Sequence, residues 1–221
     1  GRSPDPSTIL WAQSTVSGWT TETVTTAPRR ADLRFRMGSD NVPQLVWRDL
    51  IRRTISYARR NTDGWEIETI AESLMPYLRS AEYESSERDF DMTLTPENRP
   101  AVCFAKLGGD SNWHHYVATR GDAGWQVDEI PMTPDGDDRS DCAIGMNRHG
   151  DVYLMRVSYK SRLWASVLNS GGWKHRRLKN DVTVGSAAVD FGANDTPIFY
   201  WTGYPDAYFN REPYSLWVAT W

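Results

Sequence analysis

The chain has 221 residues, a net charge of −4 and a sequence pI near 5.6, so no strong basic field is present to draw in nucleic acid or an anionic membrane surface. With 39% hydrophobic and 24% charged residues it has the composition of an ordinary globular protein, and no apolar run is long enough to span a bilayer as a helix. The unusual count is 11 Trp, a residue that fills cores and also stacks on flat ligands.

The opening residues Gly1 to Pro6 contain no signal-peptide apolar stretch and no initiator Met, which predicts a processed product or a fragment. Ile9-Leu10-Trp11-Ala12 then reads as a strand, and Gly18-Trp19 opens a second that runs to Val24. Leu33-x-Phe35-x-Met37 alternates apolar with polar residues, the period of a half-buried strand. The turn Gly38-Ser39-Asp40-Asn41 leads into a strand from Pro43, then one around Tyr57, then one from Gly64-Trp65 to Ile70. This succession of four strands, termed A, B, C and D, returns along the chain. A recurs around Met92, Ile144 and Val189, and B starts at Pro100, Val152 and Pro197. C carries Tyr116, Trp164 and Trp217, and D opens with Gly124-Trp125 and Gly172-Trp173. The Gly-Trp tryptophans stand 46, 60 and 48 residues apart. The C aromatic precedes them by 8, 8, 9 and 9 residues, which predicts a C–D turn that varies by one residue.

Four-stranded units at this spacing are the signature of propeller blades. The expected fold is all-β: one β-propeller domain over 1–221, built of four-stranded antiparallel blades, five in number with an imperfect terminal blade. Units fall at 7–26, 31–71, 89–132, 141–180 and 186–221, the first and last partial. An insertion at 71–88 carries the one predicted helix, around Leu74 to Leu78. The chain starts and stops in a C strand, which leaves open a shared closing blade, a separate partial blade, or completion by another chain. Cys103 and Cys142 lie in apolar strands and read as buried free thiols.

Asn41 to Asp49, Ile55-Ser56-Tyr57-Ala58 and Gly64 to Ile70 together resemble the repeat unit of bacterial extracellular propellers, and in outline the small lectin and sialidase-like propellers. The resemblance spans nearly the whole chain. It implies a secreted or extracellular propeller and carries over no catalytic motif. Asp122-Ala123-Gly124-Trp125 has the wrong spacing for the sialidase Asp-box.

In such a unit the A–B and C–D turns share one face, which reads as scaffold. The longer B–C and D–A connections share the other, and variable loops on a rigid scaffold are where binding residues gather. The candidate contacts on that face are Trp113, Tyr204, Tyr208 and Tyr214, with Trp47 and Trp201 at the ends of B strands. Their rings can stack on sugar C–H faces, while Asp110, Asp206, Asn210 and Arg52 can hydrogen-bond hydroxyls. Packing between blades is the alternative reading for the B-strand aromatics.

Asp32, Asp89 and Asp141 recur at the start of A, as funnel carboxylates for glycoside hydrolysis or as turn residues that accept backbone N–H groups. Asp135-Gly136-Asp137-Asp138 lacks a calcium-loop spacing and reads as a solvated turn. Adjacent His114 and His115 point to opposite faces of a strand, a poor arrangement for one metal. The arginine doublets read as solvated strand edges or as contacts for an anionic ligand.

The function expected from these features is lectin-like binding of a glycan or another small polar ligand. The alternatives are a protein-interaction scaffold, self-associating through its ragged terminal strands, and a glycoside hydrolase-like enzyme. No catalytic residue, metal or cofactor is assigned.

Overall fold

A computed structural model of the chain describes residues 7–27, 32–49, 52–72, 90–110, 112–136, 138–158, 162–180, 183–204 and 215–221. The insertion helix expected near Leu74 lies outside the described residues. The backbone forms two compact units, Gly1–Pro76 and Tyr77–Trp221. The protein is all-β and of the β-propeller class, with sheets that are antiparallel meanders. Among the described residues, no helix is long and apolar enough to cross a membrane.

Unit 1 holds a two-stranded sheet of β1 (Ser7–Thr15) and β2 (Gly18–Ala27). Its second sheet has four strands in sequential order: β3 (Asp32–Met37), β4 (Pro43–Asp49), β5 (Thr54–Asn61) and β6 (Gly64–Ala71). Val24, Trp47 and Ala58 form the buried contact between the two sheets, with Ile9, Trp11 and Trp65 packed on it. A polar bolt stands beside it. Glu22 accepts from Arg60 Nε at 2.6 Å and from Trp65 Nε1 at 2.8 Å. The Arg60 hydrogen bond holds the Glu22 carboxyl below its ordinary range.

Unit 2 holds three sheets. The first is β7 (Phe90–Leu94), β8 (Pro100–Leu107), β9 (Trp113–Gly121) and β10 (Gly124–Ile130). The second is β11 (Asp138–Met146), β12 (Val152–Ser158), β13 (Leu163–Asn169) and β14 (Gly172–Lys179). The third has three strands: β15 (Thr183–Phe191), β16 (Pro197–Tyr204) and β17 (Ser215–Thr220). Strand β12 of the middle sheet is buried on both faces. Even residues of β12, Val152 and Leu154, pack with Cys103, Val117, Cys142 and Ile144 of the first seam. Odd residues, Tyr153, Met155 and Val157, pack with Phe199 and Trp201 of the second. Both cysteines are buried and free.

All four B strands begin where the sequence places them, at Pro43, Pro100, Val152 and Pro197. The reason is a turn of fixed chemistry. Its first residue donates backbone N–H to the carbonyl four residues on, in Gly38→Val42, Thr95→Arg99, Asn147→Asp151 and Gly192→Thr196. Its fourth residue has positive φ and is Asn41, Asn98, Gly150 or Asp195. Asn, Gly and Asp are the residues that accept this conformation at low cost.

The C–D turns correct the sequence reading. Each is a two-residue hairpin, closed by Thr15↔Gly18, Asn61↔Gly64, Gly121↔Gly124 and Asn169↔Gly172. Their length does not vary. The glycine of every Gly-Trp pair has φ between 87° and 129°, a backbone state that side chains oppose. With the turn constant, the 8-versus-9 spacing is a difference of face. Tyr57 lies three residues before Arg60, the partner of Trp65, whereas Tyr116 lies four before Arg120, the partner of Trp125. Tyr116 and Trp164 therefore project from the opposite face to Trp11 and Tyr57.

Gly124→Ala adds a methyl group that meets no neighbouring atom within 4 Å, at φ 114°. The expected cost is therefore backbone strain alone, about 1–3 kcal/mol. Urea unfolding checks this: an unshifted midpoint contradicts it.

Candidate functional site

The fifth residue of each B strand sets the chemistry near the B–C and D–A loops. These residues are Trp47, Phe104, Arg156 and Trp201. In unit 2 each lies directly opposite a C-strand aromatic: Phe104↔Tyr116, Arg156↔Trp164 and Trp201↔Trp217. Phe104 and Tyr116 stack at 5.4 Å, and Lys106 Nζ lies 5.3 Å from the Tyr116 ring centre. Trp201 and Trp217 lie nearly parallel at 6.4 Å, with Lys179 Nζ 4.0 Å from the Trp217 ring centre. Arg177 lies 5.9 Å from the Trp164 ring centre. A ring of each sheet of unit 2 thus meets a cation, the third taking Lys179 from β14, in the distance range of cation–π attraction.

Arg156 stands where the other sheets carry an aromatic, and its side chain is 0% exposed. Burying a guanidinium costs several kcal/mol unless its donors are met. Arg156 Nη1 donates to Asp138 Oδ2 at 3.0 Å and to the Pro131 carbonyl at 3.1 Å. Nη2 donates to Ser166 Oγ at 2.9 Å and to His175 Nδ1 at 3.2 Å. Asp138, 1% exposed, also accepts from the Thr133 hydroxyl and lies 3.6 Å from His115 Nδ1. Burial opposes the charge on Asp138, but His115, Arg156 and Thr133 outweigh it and hold the carboxyl below its ordinary range. Burial, reinforced by the Arg156 charge, lowers the pKa of His115.

The side chain of Asp138 is therefore not that of a solvated turn residue. Asp138 and the Pro131 carbonyl are drawn to Arg156 because a buried guanidinium requires acceptors, an anion among them. Asp135 follows the same rule one layer out. It accepts from Trp164 Nε1 at 2.8 Å, from Ser158 Oγ at 3.3 Å and from Arg162. Burial works against its charge, yet these donors hold the carboxyl below its ordinary range.

A third group is nearer solvent. His114 Nδ1 lies 2.7 Å from Glu129 and Nε2 3.1 Å from Asp110. Its hydrogen bonds to Glu129 and Asp110 raise its pKa. Asp110 is lowered to about 2, first by Asn112 and then by His114. As the strand alternation requires, His114 is partly exposed and His115 is buried. Among the described residues, no three His, Cys, Asp or Glu are placed to hold a metal ion.

The sequence candidates fall into three groups. Trp47, Trp113 and Trp201 are 4%, 3% and 4% exposed, so these rings are packed in the sheets rather than presented to solvent. Asp110 belongs to the His114 group, and Arg52 is exposed and held by Asp49 through its backbone N–H at 2.7 Å. Tyr204 ends β16, whereas Asp206, Tyr208, Asn210 and Tyr214 lie outside the described residues. Asp89 also lies outside them. The Asp141 carbonyl accepts from His115 Nε2 at 3.3 Å. Sequence reading missed Arg156 and Lys179. The available signal was Arg at a position that is aromatic in the other three copies. The turn face of unit 1, read as scaffold, carries an open cleft of about 450 Å³ lined by Pro43, Arg59, Arg60, Asn61 and Glu66.

No protein-family model and no curated protein matches the chain. Solved structures do resemble it. AofleA from Arthrobotrys oligospora aligns with TM-score 0.53 and 13% identity over 86% of this chain, which spans 56% of that protein's length. A protein of unknown function from Dyadobacter fermentans aligns at 0.59 and 11% identity, covering 99% of this chain and 68% of its own. The SapL1 lectin, solved in complex with alpha methyl fucoside, aligns at 0.53 and 10% identity, covering 95% of this chain and 72% of its own. At such identities the likeness is one of fold.

Two predictions follow from the charged groups. Asp138→Ala leaves a buried, unmatched guanidinium and lowers stability by about 3–5 kcal/mol. Adding Arg156→Phe, the residue type of the neighbouring sheet, recovers most of that loss. Urea midpoints of the single and double variants check this, and a double variant no better than the single contradicts it. Separately, the raised pKa of His114 stabilises the fold fully below the unfolded-state value of about 6.5. That contribution fades as pH rises through the folded pKa. The stability gap between parent and His114→Gln is therefore larger at pH 5.5 than at pH 9; a gap that grows with pH contradicts the assignment.

Proposed function

We propose that the protein is a lectin-like propeller that binds carbohydrate at the loop end of unit 2. The supporting observation is the repeated pairing there of a partly exposed ring with a cation: Tyr116 with Lys106, and Trp217 with Lys179. Sugar rings offer C–H faces to aromatic groups and hydroxyls to charged ones, so this pairing suits them. The fold shared with SapL1, a lectin solved with alpha methyl fucoside, supports the same reading. A secreted or surface location belongs to this proposal.

Tyr116 is the partly exposed member of its stack, and its hydroxyl reaches Glu129 at 3.4 Å. Tyr116→Ala is expected to weaken glycan binding by about tenfold, the loss of one stacked ring worth roughly 1–1.5 kcal/mol. Glycan-array screening followed by calorimetry on the best ligand checks this, with circular dichroism confirming the sheets. A folded parent protein that retains no glycan refutes the function.

A further inference from the structure

We propose that the seam between the end of β14 and the β16–β17 pair binds the carboxylate of an acidic sugar. This extends the carbohydrate-binding reading and rests on it. The starting point is a deficit of acceptors. The indole nitrogens of Trp201 and Trp217 are both shielded from solvent, and neither donates a hydrogen bond in the structure. A buried N–H left unmet costs about 1–3 kcal/mol, so a native protein retains one where a water or a ligand meets it. Here two such donors lie on nearly parallel rings, and Lys179 Nζ is 4.0 Å from the centre of one of them. All three groups are donors. A complementary ligand group must therefore be an acceptor, and the ammonium favours an anionic one.

The neighbouring seam of the same unit shows which anion fits. Trp164 occupies in the middle sheet the place that Trp217 holds in the third, each opposite the fifth residue of its B strand. The Trp164 indole N–H is met by a carboxylate, Asp135, which also accepts from Arg162. One carboxylate there satisfies an indole and a cation together. The seam at Trp217 has the indole, and its cation lies over the ring face. A ligand carboxylate supplies the missing acceptor, with the pyranose ring bearing it against the partly exposed Trp217.

Calorimetry with four probes and ¹⁵N–¹H spectra of the indole groups test this on the full chain. The probes are a glucuronate-containing oligosaccharide, its methyl ester, its neutral glucose counterpart and a sulfated analogue. Trp201→Phe and Trp217→Phe assign the two indole signals. The glucuronate form is expected to bind at least about tenfold more tightly than the ester and the neutral sugar, and to move the Trp217 signal downfield. Lys179→Met, which keeps the apolar stem, removes that preference. Equal binding of uronate and neutral sugars overturns the carboxylate site and leaves the carbohydrate-binding reading standing. Binding of no saccharide overturns both. A sulfated sugar that binds as tightly as the uronate overturns the choice of carboxylate. A Trp217 indole already hydrogen-bonded without ligand overturns the proposal outright.

Discussion

Each Gly-Trp hairpin turns on a glycine whose φ lies between 87° and 129°, and this backbone constraint decides which face every neighbouring side chain takes. Because the period along a strand is two, a slip of one residue exchanges the faces of a whole strand. The closing pairs Gly121↔Gly124 and Asn169↔Gly172 hold the slip at zero. That register puts Val117 and Ala165 into the apolar seams and sends Tyr116 and Trp164 to the opposite sides. The apolar seams and the ring–cation groups are two results of the same pairing.

The seams then differ in how polar groups are satisfied. In unit 1 a glutamate accepts at once from an arginine and an indole. In the middle sheet of unit 2, Arg156 replaces an aromatic and draws in Asp138, Thr133, Ser166 and His175. The buried Arg156–Asp138 pair is not the most stable arrangement conceivable, since an apolar replacement of a buried ion pair is often neutral or better. What the buried network does supply is direction. A guanidinium whose donors need acceptors at fixed angles fixes where the Pro131 carbonyl and the Asp138 carboxylate sit, which apolar packing alone would leave less defined.

Most of the strand plan was legible in the sequence because alternation, turn residues and Gly-Trp pairs all report on the local backbone. Pro43, Pro100, Val152 and Pro197 begin strands for reasons contained in the preceding four residues. The site was far less legible. Whether Trp47 or Trp201 faces a ligand or a neighbouring sheet depends on contacts across a seam, which no local pattern encodes. Asp138 illustrates the same limit. Within Asp135-Gly136-Asp137-Asp138 it has the composition of a solvated turn, and only Arg156, 18 residues onward, makes its burial favourable. The 8-versus-9 spacing was visible, but a length difference and a change of face give the same count in sequence and are separated only by hydrogen-bond register.

The two seams of unit 2 differ in how many internal hydrogen bonds a ligand would have to disturb. Around Arg156 both terminal guanidinium nitrogens are met by protein acceptors, so ligand binding there would have to break strong internal bonds before making new ones. Around Trp217 the aromatic stack and the ammonium are already in place, with two indole donors uncommitted. Binding at that seam breaks no protein hydrogen bond of either indole. The preorganised cost falls on folding rather than on association, which is the condition under which a small polar ligand gains most from each contact. The seam at Trp217 is therefore the better seat for recognition, and the seam with the buried ion pair the better brace for it.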